Sequence, residues 1–189
     1  MIREENNQQL HISVRNLVEF IFREGDIDNR SGKLQNAEAM MQGTRLHKKI
    51  QKAQDGDYQA EVPLKITLKE PLYDLTIEGR ADGIFSQLES DVYGTEDISM
   101  IAEEQNNGAL VFIDEIKGIY RSLEYLEEPV FVHQAQAMCY AYIFALQNEL
   151  PQIGVRMSYC NLDTEEMKYF TFVYDFAELE EWFTKLTTE

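Results

Sequence analysis

Gly79-Arg80-Ala81-Asp82-Gly83 closes one strand-like segment, and Asp114-Glu115-Ile116-Lys117 follows a second, Ala109-Leu110-Val111-Phe112-Ile113. Side chains alternate faces along a strand. Glu115 and Lys117 therefore share a face, and Asp114 and Ile116 point the other way. A carboxylate and an ammonium two residues apart have two readings. They form an exposed strand pair worth little, or the carboxylate holds Mg²⁺ or Mn²⁺ while the amine aligns a water. The apolar lead-in speaks against simple exposure, since burying a charge is costly unless it is paired or metal-bound. Asp82 has the same two sides. It is a turn Asp beside a Gly, or a second oxygen ligand with small neighbours that leave room for a cation and a phosphate. A hard cation needs oxygen ligands of this kind, and Asp82 and Glu115 supply two if their strands are adjacent.

Periodicity places these segments in a larger order. Val14, Leu17, Val18 and Ile21 recur at helical spacing behind Ser13, a favoured N-cap. Gly25 and the polar run Asp26 to Gly32 break that helix. A second covers about Lys33 to Lys52, with Leu34, Ala37, Met40, Met41, Leu46 and Ile50 as its apolar positions and Gly43 inside it. Glu61 to Leu68 alternates like an edge strand, which suits Pro63. Leu72 to Phe85 reads as its hairpin partner, rich in Leu, Ile, Thr and Tyr. Ser86 to Gly108 is polar, carries Gly94 and the turn signal Asn106-Asn107-Gly108, and reads as a long insertion. Ala109 to Ile116 is a central strand. Val132 to Leu150 is a helix ended by Pro151, Val155 to Leu162 and Met167 to Val173 are strands, and Asp175 caps a last helix through Leu186. The predicted order is α-α-β-β-β-α-β-β-α: one α/β domain over residues 1–189, with a mixed sheet flanked by helices.

Composition narrows the function classes. The chain has 189 residues, 44% of them hydrophobic, enough for one domain with a core. No apolar run reaches the roughly 18 residues of a bilayer span, and Met1 to Asn6 lacks an apolar signal segment. A soluble, cytoplasmic protein with no membrane partner is expected. The two cysteines, Cys139 and Cys160, are too few for a four-thiolate iron–sulfur cluster or an all-cysteine zinc site. They read as core thiols. The net charge of −17, from 34 acidic and 17 basic residues, opposes nucleic acid, whose binding rests on phosphate neutralisation. Any such substrate needs a local basic groove or a partner that delivers it.

Three further side chains accompany the two motifs. His47 follows Gly43-Thr44-Arg45-Leu46 on the second helix. It reads as a surface or core-edge histidine, or as an imidazole ligand that favours Mn²⁺ over Mg²⁺. Gln136 and Tyr140 lie four apart on one face of the long helix, with His133 three before Gln136. They belong to an ordinary amphipathic helix, or they orient a nucleic-acid strand and Lys117. Glu61 is a weaker candidate for an outer role. Other chemistries find no support. The phosphate loop G-x-x-x-x-G-K-[ST], the dinucleotide fingerprint G-x-G-x-x-G, the elbow G-x-S-x-G and the zinc motif H-E-x-x-H are all absent from the sequence.

Taken together, Gly43-x-x-x-His47, Gly79-Arg80-Ala81-Asp82, Asp114-Glu115-Ile116-Lys117 and Gln136-x-x-x-Tyr140 resemble the motifs of the PD-(D/E)XK nuclease superfamily. The RecB-like exonuclease branch adds the helical His and the Gln-x-x-x-Tyr. The stretch from Ile12 to Gln136 also resembles nuclease domains in front of Rad3/DinG-type helicases in Firmicutes. The resemblance implies a restriction-endonuclease-like αβββαβ core and metal-dependent cleavage of DNA, by exonuclease action in repair or recombination, with a helicase as partner. It implies His47, Asp82 and Glu115 as ligands of Mg²⁺ or Mn²⁺, the Ile116 carbonyl as a further one, and Lys117 as the group that positions the attacking water. Gln136 and Tyr140 would organise the site and the DNA. Gly118 departs from the pattern, since a Thr or similar residue often follows the Lys. The four-cysteine cluster of some relatives is also missing. The alternative expectation is a catalytically silent module of the same fold that binds DNA or a helicase partner.

Overall fold

Apolar periodicity and turn chemistry set the elements. The computed structural model describes residues 7–22, 33–54, 56–88 and 109–188, without the side chains of 33–40. In chain order the elements are β1 (Gln8–Ser13), α1 (Val14–Ile21), α2 (Lys33–Ala53), β2 (Gln59–Lys69), β3 (Tyr73–Leu88), β4 (Ala109–Ile119), a 3-10 turn at Leu123–Tyr125, α3 (Phe131–Gln147), β5 (Gln152–Asn161), β6 (Met167–Asp175) and α4 (Phe176–Thr188). The run from α2 to β5 has the expected αβββαβ order in a mixed α/β architecture. The side chains of the apolar positions Leu34, Ala37 and Met40, the break at residues 25–32 and the insertion between 89 and 108 lie outside what is described.

Local signals account for most boundaries. The Ser13 hydroxyl accepts from the Asn16 N–H and starts α1. Helix α3 stops three residues short of expectation. Glu149 takes a left-handed φ of 54° and the Leu150 N–H returns to the Ala145 carbonyl at 3.0 Å, the Schellman closure, before Pro151 is reached. At α4 the cap works in the reverse sense. The Asp175 N–H donates to the Glu178 carboxylate at 3.3 Å, and the Asp175 side chain is occupied by Gln152.

The structure departs further from the sequence reading at β1, β3 and Met41. β1 was not foreseen: Gln8–Ser13 is polar and largely exposed, and it is a strand only because it pairs in parallel with Tyr73–Glu78 of β3. Strand β3 runs on through Leu88, so Ser86–Leu88 belong to the sheet, opposite Val111–Ala109, and not to the insertion. Met41, read as one of the apolar positions of the second helix, is 76% exposed.

The open sheet has the order β1-β3-β4-β5-β6, with β2 also paired to β3. One edge of β3 is shared. Its first half carries β1, and its second half carries β4, whose antiparallel ladder ends at the pair Gly83–Asp114. Beyond that pair β3 and β4 part and leave a fork in the sheet. Helices α1, α3 and α4 cover one face in the main apolar core. Leu46 and Ile50 of α2 cover the other, against Ile116 and Cys160. Both cysteines are buried and free.

A buried polar cluster fixes the base of the fork on the α2 face. Asp114 is 0% exposed. Its carboxylate accepts from Arg156 at 2.8 and 3.1 Å, from Tyr58 at 2.9 Å and from Ser158 at 2.5 Å. The Arg156 guanidinium also lies over the Phe85 ring at 4.1 Å. Tyr58 reaches Asp114 by crossing Gly83, where a Cβ would lie 1.9 Å from its hydroxyl. Breaking one partner of a buried pair leaves an uncompensated charge. Arg156→Leu is expected to lower stability by about 3–5 kcal/mol in urea unfolding. A loss under about 1 kcal/mol would mark the pair as energetically idle.

Candidate active site

The fork brings the two motifs together. One step beyond the last ladder pair, the same antiparallel register sets Asp82 against Glu115. The strands have separated there, and the Asp82 side chain bridges the gap. Its Oδ2 accepts the Ile116 N–H at 2.7 Å. Its Oδ1 faces the His47 Nδ1 at 3.4 Å. From α2, Gln51 donates to the Asp82 carbonyl at 2.8 Å and to Glu61 at 3.1 Å. Glu61 stands opposite Asp82 on β2 with a left-handed φ of 58°, and the β2–β3 ladder skips this one pair. Backbone strain of this kind costs on the order of 1–3 kcal/mol and gathers at functional sites. Glu61 is thus linked to Asp82 through Gln51.

On the α3 side of the sheet, Glu115 is 1% exposed and its Oε1 pairs with the Lys117 ammonium at 2.6 Å. Lys117 also donates to the Gln136 side-chain carbonyl at 3.2 Å. The Tyr140 hydroxyl accepts from the Arg80 N–H at 3.3 Å and lies 2.5 Å from where a Cβ on Gly79 would be. The small neighbours of Asp82, expected to leave room for a cation and a phosphate, instead make way for protein, as does Gly79 in the same motif. Gly83 admits Tyr58, Gly79 admits Tyr140, and Ala81 is buried. Gly118 has a similar cause: a Cβ there would meet Leu162 at 2.7 Å. His133 shares α3 with Gln136 but turns to the Tyr159 hydroxyl at 3.1 Å.

Electrostatics single out Glu115. Burial, with Asp82 adding to it against the opposing pull of Lys117, pushes its pKa up to about 7. Burial draws His47 down, but hydrogen bonding and charge from Asp82, with the charge of Glu115, raise it overall. Tyr140 is pushed up to about 12, first by burial and then by Glu115. Glu115 Oε2 is buried and has no hydrogen-bond partner among the described residues. A buried carboxylate oxygen without a donor is costly, and an ion or a water is the usual remedy.

The donor set suits a hard divalent ion. Two carboxylates and one imidazole face the fork, and one carboxylate oxygen is orphaned. Among the described residues no group of three or more His, Cys, Asp and Glu side chains is placed so as to hold a metal ion by itself. Glu115 has one oxygen engaged by a protein donor, and of Asp82 one oxygen takes the Ile116 N–H while the other faces His47. That fits Mg²⁺ or Mn²⁺, which take one or two carboxylates and complete their shells with water and substrate phosphate. The site residues Asp82, Glu115, Lys117, His47, Gln136 and Tyr140 all converge on the fork; of Ile116, the N–H takes part. Tyr58 and Arg156, which fix the fork from the other face through Asp114, are the supporting residues that the motifs did not announce.

No family model and no curated protein matches this chain. Among solved structures, the crystal structure of SSO0001 is similar, with a TM-score of 0.55 and 16% identity over 100% of this chain and 78% of that one. At that identity the likeness concerns the fold alone. No helix among the described residues is long and apolar enough to cross a membrane.

The raised Glu115 pKa has a signed consequence. Its neutral form is favoured by the fold, so this contribution to stability is full below the ordinary carboxylate pKa of about 4.5 and is lost as pH rises through about 7. In EDTA, the stability of wild type relative to Glu115→Gln is expected to fall between pH 5 and pH 8 in urea unfolding. An unchanged difference would show that the carboxyl titrates normally.

Proposed function

We propose that the fork is the active centre of a metal-dependent deoxyribonuclease of the PD-(D/E)XK kind, an exonuclease serving repair or recombination and coupled to a helicase. The observation that carries the reading is the orphaned Glu115 oxygen, buried beside Asp82, His47 and Lys117 at the point where two strands separate. The αβββαβ order that positions these side chains supports it.

Asp82 and Glu115 would hold the ion, with His47 as a nitrogen ligand on the α2 side and the Ile116 carbonyl as a further oxygen. The bound ion would supply Lewis-acid polarisation of a phosphate and a water of lowered pKa. The rest is the work of the chain. Gln136 holds the Lys117 ammonium at the mouth of the fork, where its fixed charge would offset negative charge developing on the phosphate. The Tyr140 hydroxyl holds α3 to the β3 backbone, which keeps Gln136 and Lys117 in reach of each other. Glu115 is itself almost without exposure, so fixed charges beside it act more strongly than in solution.

A second reading has one observation in its favour. The −17 charge disfavours nucleic acid, as a silent module bound to a helicase partner would tolerate. A tethered motor answers the same difficulty for the enzyme, because high local concentration replaces intrinsic affinity.

Digestion of single- and double-stranded DNA at low salt separates the two. Wild type is expected to cleave with Mn²⁺ or Mg²⁺ and not in EDTA. Lys117→Ala and Glu115→Ala are each expected to lose roughly two orders of magnitude or more. Asp82→Asn is expected to weaken Mn²⁺ binding in calorimetry. Equal digestion by wild type and both alanine variants would remove the assignment.

A further inference from the structure

Helix α2 sends two side chains to Asp82, His47 and Gln51. Each is followed at once by an exposed lysine, Lys48 and Lys52. A helix turns about 100° per residue, so both lysines stand on one exposed face of α2, next to the face that reaches Asp82. They are four apart and thus neighbours on one face, with Cβ atoms about 5–6 Å from each other. That separation is comparable to the distance between neighbouring phosphates on a strand. Leu46 and Ile50 are buried on the far side of the helix, so the lysine face cannot turn inward.

The charge around them is unlike the rest of the chain. From residue 41 to residue 54 there is no Asp or Glu, and Arg45, Lys48, Lys49 and Lys52 fall within it, in a protein with twice as many acids as bases. The neighbouring cations are already engaged. Lys49 pairs with Glu165, and Arg45 lies close enough to lower the Glu165 pKa further. Lys48 and Lys52 have no carboxylate at ion-pair distance among the described residues.

We infer that Lys48 and Lys52 form a backbone-binding surface for a polynucleotide strand, gripping phosphates that flank the one at the fork. The inference rests on the nuclease reading and extends it: the substrate is a polymer with phosphates on the α2 side, not an isolated phosphodiester. It also places the local positive surface that an acidic chain needs. Two phosphate contacts are few, so intrinsic affinity is low and its salt dependence shallow but measurable.

The test is binding in EDTA, which needs no catalysis. Fluorescence anisotropy with a labelled single-stranded oligodeoxynucleotide is followed across a salt series for wild type, K48E/K52E and the control K69E/K185E. The control makes the same change in net charge at exposed sites on the far end of β2 and on α4. K48E/K52E is expected to weaken binding by about tenfold or more and to flatten the slope of log K against log salt by about 1.4, from two contacts at about 0.7 each. The neutral K48Q/K52Q is expected to flatten it by a similar amount. The control is expected to keep the wild-type slope. Equal slopes for K48E/K52E and the control, or no salt-dependent binding by wild type, would overturn the inference. A parallel cleavage assay tells the two failures apart. If Lys117-dependent cleavage persists with KM unchanged in K48E/K52E, the surface fails and the nuclease stands. If no protein cleaves but Lys48 and Lys52 still set the salt slope, the surface stands and the nuclease reading fails.

Discussion

The hydrogen bond from the Ile116 N–H to Asp82 Oδ2, at 2.7 Å, is the constraint on which the site depends. Where β4 leaves β3, this N–H loses its ladder partner, and a buried backbone donor without an acceptor is expensive. The Asp82 carboxylate replaces the missing carbonyl. One side chain thus closes the backbone account of the fork and delivers a carboxylate to its mouth. Without that substitution the strands would have to zip further, and Glu115 and Lys117 would lie beside an ordinary ladder with no slot between them and Asp82.

Strand β4 divides its labour by face. Asp114 points to the α2 side and is locked by Arg156, Tyr58 and Ser158. Glu115 and Lys117 point to the α3 side and are less than fully satisfied. The locked face supplies rigidity, which a preorganised site requires. The other face keeps a buried carboxylate oxygen without a donor among the described residues. The same division explains why neighbouring carboxylates, both almost without exposure, have opposite characters. Every Asp114 oxygen has a donor, whereas Glu115 has a single ammonium for two oxygens.

Much of this was legible in the sequence, because it depends on local period and on short motifs. The alternation around Glu115-Ile116-Lys117 set its faces, and the apolar run before it gave its burial. The parts that were not legible are long-range. β1 has little apolar character of its own and exists through pairing with a strand more than 60 residues away in sequence. Asp114 looked like a neighbour facing away, since its partner Arg156 is 42 positions on. The small residues around Asp82 looked like space for a ligand. Only the positions of Tyr58 and Tyr140 show that protein fills it.

The central claim is that the fork holds a divalent ion between Asp82 and Glu115, with the Lys117 ammonium beside it. Anomalous diffraction from crystals grown with Mn²⁺ tests it most directly. The account predicts a manganese peak at the fork, in contact with carboxylate oxygens of both residues. A structure at saturating Mn²⁺ with no peak there, and with Glu115 still bound only to Lys117, would contradict it.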